Sequence, residues 1–262
     1  MANTQFQYVK KFEQDDSLLL NTWLVVRIDG RSFHKFSQIH SFEKPNDKRA
    51  IGLMNQAAKQ IMEEFGDVII AYGQSDEYSF VLHKSTTLYS RRASKILSTF
   101  VSLFTGYYIY NWKNFFPDQE LKEIPSFDSR IICYPSKKNI RDYLSWRQAD
   151  CHINSLYNTC FWCLVKSGIS EKEATEQLRG TFSNDKNELL FSKFGINYND
   201  LPQINRKGTV LYRKIEEIET IRNDTNQKSI SKKKKIIMDH IDIISEKFWK
   251  ENPILTEKRR IK

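Results

Sequence analysis

The sequence predicts an α+β fold: an antiparallel sheet core of βαββαβ order, the ferredoxin-like or split βαβ arrangement, followed by a mostly helical C-terminal half. Three observations predict it. The first half contains four apolar runs of strand length, two of which are separated by a short segment that includes four residues of turn type. Two longer segments between these runs have apolar residues at helical spacing. From about Pro135 onward, long polar-rich stretches of helical character replace the strand patterns.

The predicted strands and helices of the first half follow one another along the chain. The strands cover residues 23–28, 68–72, 78–82 and 127–134. The helices are marked by the apolar residues Ile51, Met54, Ala58, Ile61 and Phe65, and by Ile96, Phe100, Phe104, Tyr108 and Trp112. Asp47 can cap the first helix, and Gly66 ends it. Residues 73–76 supply the turn of a hairpin between the second and third strands. Polymerase palms and nucleotide cyclases share this βαββαβ arrangement, so the fold alone does not determine the function, which depends on the residues of the active site.

The second half is predicted to be helical apart from one short strand at residues 207–213. Its first helix covers residues 139–166, and Ser170 and Glu173 form a capping box that starts the next one. The spacing of Ile237, Ile241, Ile244 and Phe248 predicts an amphipathic helix over residues 231–250. The chain is therefore expected to divide into a palm-like catalytic core at 1–135, a helical region at 136–222 and a basic helical tail at 223–262, with 223–231 as the linker.

Charge and cysteine usage narrow the class of protein. The net charge is +9, and residues 228–262 hold 11 basic and 5 acidic residues, which is most of the excess. A basic balance favours a nucleic-acid or nucleotide partner. No apolar run approaches the ~18 residues of a membrane span, and the first ten residues do not resemble a targeting segment. The four cysteines include one C-x-x-C pair, too few for a zinc site. We therefore expect a cytoplasmic protein, with the nucleus as the alternative location.

Two aspartates fall where the predicted sheet brings them together. Asp29 ends the first strand and Asp76 lies at the hairpin tip, and in this fold the first strand lies beside that hairpin, so the two carboxylates can face each other. With the Gly30 carbonyl they suit Mg²⁺, which prefers oxygen ligands and substrate phosphates, and a pair of such ions can clamp a phosphoryl transfer. Glu77 should point to the opposite face, as a supporting residue or as a third ligand reached through a bulge. Either aspartate alone could be an ordinary turn residue.

Basic and hydroxyl side chains near these aspartates suit phosphate binding. The segment from Gly30 to Phe36 can present successive backbone N–H groups to a triphosphate, although it is not a Walker loop. Its phosphate contacts would be completed by Arg31, Lys35, Lys44 and Ser75. Arg91, Arg92 and Lys95 are predicted on the first turns of the second helix, where they would hold a second nucleotide or an RNA 5′ phosphate; a solvated helix face is the alternative.

The helix predicted over residues 139–166 has an unusual composition. It is expected to bury Leu144, Ile153, Leu156 and Cys160 and to display Arg147, Asn154 and Asn158, with His152, Ser155 and Thr159 adjacent. Asn is a poor helix former because its amide competes with the backbone for hydrogen bonds. The amides and the one histidine therefore indicate a hydrogen-bonding role, although a lone histidine is more often structural.

Several stretches are long and specific enough to identify a family. They are Arg27-Ile-Asp-Gly30, Phe42-Glu-Lys-Pro-Asn-Asp47, Ala71-Tyr-Gly-Gln-Ser-Asp-Glu-Tyr-Ser-Phe80, the polar helix up to Thr159, and Ser183-Asn-Asp-Lys-Asn-Glu188. From residue 6 to about residue 213 the chain resembles the tRNA-histidine guanylyltransferase family. The tail after Arg213 matches nothing that we can place.

The resemblance implies a 3′-to-5′ polymerase with a palm fold that is typically a homotetramer. ATP first adenylylates the tRNA 5′ phosphate, the 3′-hydroxyl of GTP then displaces AMP, and pyrophosphate is finally removed from the added guanosine. It implies two Mg²⁺ on Asp29, Gly30 and Asp76. It implies a nucleotide wrapped by Asp29, Gly30, Arg31, Ser32, Phe33, His34 and Ser75 and supported by Lys44. It implies that the tRNA lies near His152, Asn154, Asn158, Lys186, Asn197 and Lys207.

One residue departs from the family pattern. Eukaryotic members usually read His-Ile-Asn-Asn-Leu-Tyr-Asn, whereas this chain has Ser155 as the fourth residue. Related members that lack the motif repair truncated tRNA 5′ ends with a template. The alternatives to a guanylyltransferase are therefore such a repair polymerase, a cyclase-like palm that makes a cyclic nucleotide, and a non-catalytic RNA-binding protein.

Overall fold

The computed structural model describes residues 4–221 and 228–254 and places six strands in one antiparallel sheet of order β4-β1-β3-β2-β5-β6. The strands are β1 (Trp23–Gly30), β2 (Val68–Gln74), β3 (Glu77–Leu82), β4 (Phe127–Tyr134), β5 (Thr209–Ile221) and β6 (Lys228–Asp239). The longer helices are α1 (Phe33–Ile39), α2 (Lys48–Glu64), α3 (Ala93–Tyr110), α5 (Lys137–Lys166), α6 (Glu171–Leu178) and α7 (Ser183–Phe194). The described residues also form three short α-helices: α4 (Trp112–Phe115), α8 (Gln203–Lys207) and α9 (Glu246–Glu251). The predicted α+β class, the βαββαβ core and the position of β1 beside the hairpin are confirmed.

Both faces of the sheet are covered, because its strands carry apolar residues on both sides. Leu24, Val26 and Ile28 of β1 pack against α2 and α3, while the alternate residues Trp23 and Val25 pack under α5. Asp47 caps α2 by accepting from the Arg49 N–H at 2.9 Å, as predicted. The α2–α3 layer holds an aromatic core built from Phe33, Phe36, Phe100, Phe104, Tyr108, Trp112 and Phe127. Asp29 and Gly30 at the end of β1 thus lie at the edge of the sheet where its strands end, beyond the apolar residues of that strand.

The helix α5 crosses the opposite face and then extends beyond the sheet. Its first half contributes Ile140 and Leu144 to the sheet core, and its second half packs with α6 and α7 around Leu156, Cys160 and Leu164. The capping box of α6 forms as predicted. None of the helices in the described part of the chain combines the length and the apolarity that crossing a bilayer requires.

The helix predicted over residues 231–250 is wrong for residues 231–245, because residues 228–239 form strand β6 and residues 240–245 are not helical; only residues 246–250 are helical, in α9. The β5 strand begins at Thr209, as the 207–213 prediction implied, but continues to Ile221 and gives β6 a full-length hydrogen-bonding partner. Of the residues that suggested a helical stripe, only Ile237 belongs to β6, where it and its neighbour Ile236 pack on opposite faces of a doubly covered strand. Ile241 and Ile244 follow the strand.

The tail is also not a separate helical unit, and the region 136–222 is not wholly helical. Beyond β6, Ile243, Phe248, Trp249 and Ile254 are buried in the core beneath α5. The β5 strand extends the sheet of the predicted catalytic core by pairing with β2. Residues 223–227 of the proposed linker lie outside the described residues, and residues 228–231 belong to β6.

Candidate active site

The end of β1 and the tip of the β2–β3 hairpin meet at one edge of the sheet. The hairpin loop consists of Ser75 and Asp76 alone, and the Gly30 N–H donates to the Asp76 carbonyl at 3.0 Å. A Cβ on Gly30 would lie 2.4 Å from the Phe33 ring and 2.8 Å from Asp76 Oδ2. A glycine is therefore required for the hairpin tip to approach the strand this closely.

Asp29 and Asp76 reach this edge from opposite faces of the sheet. The Asp29 carboxylate lies on the α5 face, where Arg27 donates to its Oδ2 at 3.0 Å. The Asp76 carboxylate lies against Gly30 on the α2–α3 face. The expectation that the two carboxylates face each other is corrected accordingly: β1 turns Asp29 toward Arg27, because residues two apart in a strand share a face.

The electrostatics of this edge suit a bound cation. Burial raises the pKa of Asp76 above its ordinary value, and the negative charge of Asp29 acts in the same direction. No lysine or arginine among the described side chains, those of residues 4–214 and 235–254, forms an ion pair with Asp76, and Arg27 occupies one oxygen of Asp29. Across those same residues, no three His, Cys, Asp or Glu side chains cluster as metal ligands. Mg²⁺ is commonly bound by a ligand set of this kind, in which two carboxylates are completed by backbone and substrate oxygens.

A cleft of about 540 Å³ opens beside Asp76, between α1, α2 and α5. This is a suitable volume for a nucleotide-sized ligand. Its lining includes residues of the β1–α1 segment and the hairpin tip together with Lys44: Phe33, His34, Ser37, Lys44, Ser75 and Asp76. It also includes a mostly aromatic group: Phe42, Tyr108, Tyr157, Asn158, Phe161 and Trp162. The structure thus brings together five of the predicted nucleotide residues, and the aromatic part of the lining was not anticipated from the sequence.

The side chain of Lys44 contributes an ammonium group to the lining of this cleft. Its Nζ donates to Ser37 Oγ at 2.8 Å and lies 5.7 Å from the centroid of the Trp162 ring. Burial lowers its pKa, against the opposing charge of Glu171. A half-buried ammonium whose close contacts are a hydroxyl and an aromatic face is well placed to gain from a phosphate group.

Three other predicted residues of the β1–α1 segment, Arg31, Ser32 and Lys35, are not among the residues that line the cleft. Arg31 is exposed and its N–H donates to the Ser126 carbonyl at 2.8 Å, and Ser32 precedes α1 with a left-handed φ of 56°. Lys35 points away from the cleft, because its Nζ lies 3.4 Å from Glu123 on the loop before β4. The Lys35 charge is therefore directed at Glu123 and not at the cleft.

Arg91 does not lie on the long helix, and the predicted basic cluster is corrected. It occupies a 3-10 turn before α3, only 2% exposed, and its guanidinium donates to the carbonyls of Leu18, Leu19, Lys84, Thr86 and Thr22. Arg92 precedes α3 and pairs with Asp16 at 3.4 Å, while Lys95 is exposed. None of the three lines the cleft. The guanidinium of Arg91 is used in fastening the N-terminal segment, whereas the role predicted for Arg92 and Lys95 stays a prediction.

A buried ion network behind Asp29 was missed by the sequence interpretation. The Arg147 guanidinium donates to Glu77 Oε1 at 2.8 Å and to Asp150 Oδ2 at 2.6 Å, and Arg27 Nε lies 3.6 Å from Glu77 Oε2. Arg147 was expected on the exposed polar face of α5, but it is 5% exposed. Burial raises the pKa of Glu77 despite both arginines. Glu77 therefore supports the arginines on the α5 face, with no bulge that would turn it toward Asp76.

Comparison with known proteins identifies the family. Residues 6–135 match the family model described as tRNAHis guanylyltransferase, and residues 138–245 match the one described as the Thg1 C terminal domain. The chain belongs to the tRNA-His guanylyltransferase family. It is 56% identical over 97% of its length to a probable tRNA(His) guanylyltransferase of Dictyostelium discoideum, covering 98% of that relative. It is 52% identical over 97% of its length to the Neurospora crassa tRNA(His) guanylyltransferase, covering 96% of it.

Solved structures of the family have the same fold. The crystal structure of the Saccharomyces cerevisiae tRNA(His) guanylyltransferase superposes with a TM-score of 0.76 at 48% identity, covering 79% of this chain and 93% of that one. A bacterial tRNA-His guanylyltransferase-like protein in complex with ATP superposes with a TM-score of 0.75 at 22% identity, covering 97% of this chain and 100% of that one. At that identity the bacterial protein supports the fold alone.

Three of the six tRNA-contact residues expected for a guanylyltransferase of this family lie on α5. His152, Asn154 and Asn158 are exposed, and Asn154 donates to Asp150 Oδ2 at 3.1 Å. Burial and then the nearby Arg206 lower the pKa of His152, whose ring packs against Tyr198 at 5.3 Å. Ile153 was predicted to be buried, but it is 59% exposed because the buried stripe of α5 runs through Leu156 instead.

The remaining predicted tRNA contacts are spread over the elements that pack on α5. Lys186 on α7 donates to the Thr181 carbonyl at 2.7 Å, Asn197 caps a 3-10 turn by accepting from the Asn199 N–H, and Lys207 ends α8 with its Nζ 3.5 Å from Gln203. Each of the three thus has a local structural contact, and their contact with tRNA stays a prediction.

Ser155 is buried rather than displayed. It is 7% exposed on α5, and the Thr159 hydroxyl donates to its carbonyl at 2.7 Å. The expected back-bond from the Ser155 hydroxyl to its own helix is not formed in the described structure. Its burial nevertheless places it in the packing of α5, not on the surface beside Asn154 and Asn158.

Proposed function

We propose that this chain is a tRNA-histidine guanylyltransferase that adds a guanylate to the 5′ end of histidine tRNA. The observation that carries the proposal is the nucleotide-sized cleft beside Asp76, in a chain that keeps the family sequence over both matched domains. Three successive reactions follow from the family. The tRNA 5′ phosphate displaces pyrophosphate from ATP, the 3′-hydroxyl of GTP displaces AMP, and pyrophosphate is then removed from the added guanosine.

The residues of the chain bind and orient the two reacting groups. The cleft would hold the nucleotide with its phosphates toward Lys44, Ser75 and the N–H groups after Gly30. Asp29, Asp76 and the Gly30 carbonyl would hold two Mg²⁺, which when bound neutralise the charge that develops on the transferred phosphoryl group. Arg27 fixes the Asp29 carboxylate, and the aromatic wall of the cleft excludes water from the nucleotide.

A homotetramer in the cytoplasm, with the nucleus as an alternative location, completes the proposal. Apolar side chains of the N-terminal segment support an assembly, since they are exposed: Phe6, Tyr8, Val9, Phe12, Leu19 and Leu20. The location rests on the sequence alone.

The second candidate is a template-dependent polymerase that repairs truncated tRNA 5′ ends, favoured by Ser155 in the diagnostic motif. The test is incubation with ATP, GTP, Mg²⁺ and labelled 5′-monophosphorylated tRNAs, followed by sizing of the products. The proposal predicts one added guanylate on full-length histidine tRNA and slower extension of 5′-truncated tRNAs. Faster extension of the truncated tRNAs would assign the repair activity, and no extension of any tRNA would refute both.

The Mg²⁺ assignment predicts a change in stability that does not depend on activity. Mg²⁺ at ten times its dissociation constant should raise the Tm of the wild type by about 3–5 °C, since a ligand that binds only the folded state stabilises it. Asp76→Asn should abolish this shift and raise the Tm in EDTA, because a neutral amide replaces a carboxylate that has no cationic partner. K⁺ at matched ionic strength serves as the control. An equal Mg²⁺ shift in both proteins would remove Asp76 from the metal site.

His152→Ala should weaken the use of tRNA more than the nucleotide chemistry. The imidazole is exposed on α5 and has a lowered pKa, so near neutral pH it would contact RNA as a neutral hydrogen-bonding group. We expect a KM for tRNA raised about fivefold, the value of one hydrogen bond of ~1 kcal/mol, with the KM for GTP and the kcat at saturating tRNA within twofold. Unchanged tRNA affinity in a filter-binding assay would end the RNA-contact role.

Ser155→Asn should change tRNA selection little. The side chain is buried in α5, so the variant alters packing rather than a direct RNA contact. The ratio of kcat/KM on histidine tRNA to kcat/KM on a 5′-truncated tRNA should change by less than about threefold, the effect of roughly 0.5 kcal/mol. A tenfold gain in preference for histidine tRNA would show that Ser155 has weakened tRNA selection, and would favour the repair polymerase.

A further inference from the structure

One large aromatic side chain is exposed on the α5 face, above the buried ion network. Trp146 leaves 55% of its surface in contact with solvent. Its ring stacks on the Arg147 guanidinium, 4.2 Å from the ring centroid, and meets Tyr143 edge-on at 6.0 Å. A tryptophan with one covered face and a large exposed area resembles the aromatic platforms on which nucleobases stack.

The support beneath Trp146 is rigid. Arg147 is fixed by Glu77 and Asp150, and Tyr143 is fixed by its hydroxyl, 2.7 Å from Ser79 Oγ on β3. The indole therefore packs on two side chains that are each hydrogen-bonded to strand β3, Arg147 through Glu77 and Tyr143 through Ser79. A ring held in this way loses little conformational entropy when a ligand covers it.

The position of Trp146 relative to the two aspartates suggests its ligand. The nucleotide cleft opens on the α2–α3 face beside Asp76, whereas Asp29 and the Arg27–Glu77–Arg147 network lie on the α5 face. A transfer between a nucleotide and an RNA end needs the second substrate at the same edge of the sheet. Because the nucleotide would occupy the α2–α3 face of the sheet, the RNA end would approach from the α5 face, on which Trp146 lies.

Neighbouring groups on this face also suit RNA. Trp146, Asp150 and Asn154 are spaced four residues apart on α5, so Trp146 shares a helix face with an exposed amide. On the edge strand β4, Arg130 pairs in register with Arg27 and so lies on the α5 face, 54% exposed at its side chain. Asp150 is neutralised by Arg147 and bonded by Asn154, which limits its repulsion of phosphates.

We propose that Trp146 is a stacking platform for the terminal base at the 5′ end of the RNA substrate, holding that end beside Asp29. This inference rests on the proposed function, since it names where the RNA end of the same reaction is bound. The occupant is a base of the RNA, not the base of a free nucleotide, because the nucleotide cleft lies on the other face of the sheet.

The test compares Trp146→Ala, Trp146→Phe and the control Tyr110→Ala, which removes an aromatic ring that is 80% exposed at the end of α3. Filter binding measures the affinity for 5′-monophosphorylated histidine tRNA, and steady-state assays give kcat and the KM values for tRNA, ATP and GTP. Trp146→Ala should lower tRNA affinity and kcat/KM about 10- to 100-fold, chiefly through KM, as loss of a base–aromatic stack does. The tRNA affinity and kcat/KM of Trp146→Phe should stay within about threefold of the wild-type values. Tyr110→Ala should bind and extend tRNA as the wild type does.

Three outcomes would overturn the proposal. In the first, Trp146→Ala binds and extends tRNA like the wild type. In the second, the KM for ATP or GTP rises while that for tRNA does not, which would make the occupant a free nucleotide. In the third, Trp146→Phe loses as much tRNA affinity as Trp146→Ala together with a lowered Tm, which would make Trp146 a support for Arg147. A wild type that binds tRNA without extending it would refute the proposed function, and the binding arm would still decide the role of Trp146.

Discussion

Asp29→Asn and Asp76→Asn are each expected to lower both tRNA adenylylation and guanylate addition by about a thousandfold or more. Both steps transfer a phosphoryl group at the edge where β1 meets the β2–β3 hairpin, and both would lose a ligand of the shared Mg²⁺ pair. Metal stabilisation of a transferred phosphoryl group supplies several kcal/mol, and each ~1.4 kcal/mol is tenfold in rate. The measurement is single-turnover kinetics of each step at saturating tRNA and nucleotide.

Asp118→Asn is the matched control for these variants. This aspartate is exposed on the loop after α4, away from the sheet edge, and its replacement should leave both rates unchanged. If Asp29→Asn or Asp76→Asn retained more than a tenth of the wild-type rate in either step, while staying folded, the reaction would have to occur elsewhere.

Arg147→Met is expected to lower the free energy of unfolding by about 3–5 kcal/mol. Arg147 is 5% exposed and pairs with both Glu77 and Asp150, so the variant leaves Glu77 buried with only the longer contact to Arg27. Removing one partner of a buried pair costs about this much because the remaining charge stays desolvated. Urea unfolding gives the value. The exposed pair Lys138–Asp142 on the same helix supplies the control, and Lys138→Met should cost less than ~1 kcal/mol.

The double variant Arg147→Met/Glu77→Gln separates this explanation from simple loss of packing. With the Glu77 charge gone, the double variant should be more stable than Arg147→Met alone. If the two substitutions are instead additive in their cost, the stacking of Arg147 under Trp146, rather than its charge, holds α5 on the sheet.

The sheet core and the two aspartates were predictable because local patterns encode them. Strands such as β1 read as continuous apolar runs ended by Asp29-Gly30, and a loop as short as that between Gln74 and Glu77 leaves few alternatives to a hairpin. The alternation of side chains along a strand also predicted that Glu77 would face away from Asp76. These inferences need only the neighbouring residues.

The failures concern residues whose environment is made by distant parts of the chain. Arg91 reads as a surface cation, yet it is used by carbonyls of the N-terminal segment, about 70 positions earlier. Arg147 reads as part of a polar helix face, yet Glu77 on β3 buries it. The spacing of Ile237, Ile241 and Ile244 fits a helical stripe, yet Ile237 pairs with β5 in strand β6 and the other two follow that strand. A polar residue inside an apolar strand, as Arg27 is, is the one sequence signal that could have revealed the ion network.

The central claim is that the chain activates a tRNA 5′ end with ATP and then replaces AMP with a guanylate. The most direct measurement is a pulse–chase with ATP labelled at its α-phosphate. With 5′-monophosphorylated histidine tRNA, ATP and Mg²⁺, the label should become attached to the tRNA 5′ end. Addition of unlabelled GTP should then release the label as AMP while the tRNA grows by one nucleotide at that end. Absence of label on the tRNA, or growth at the 3′ end, would contradict the account.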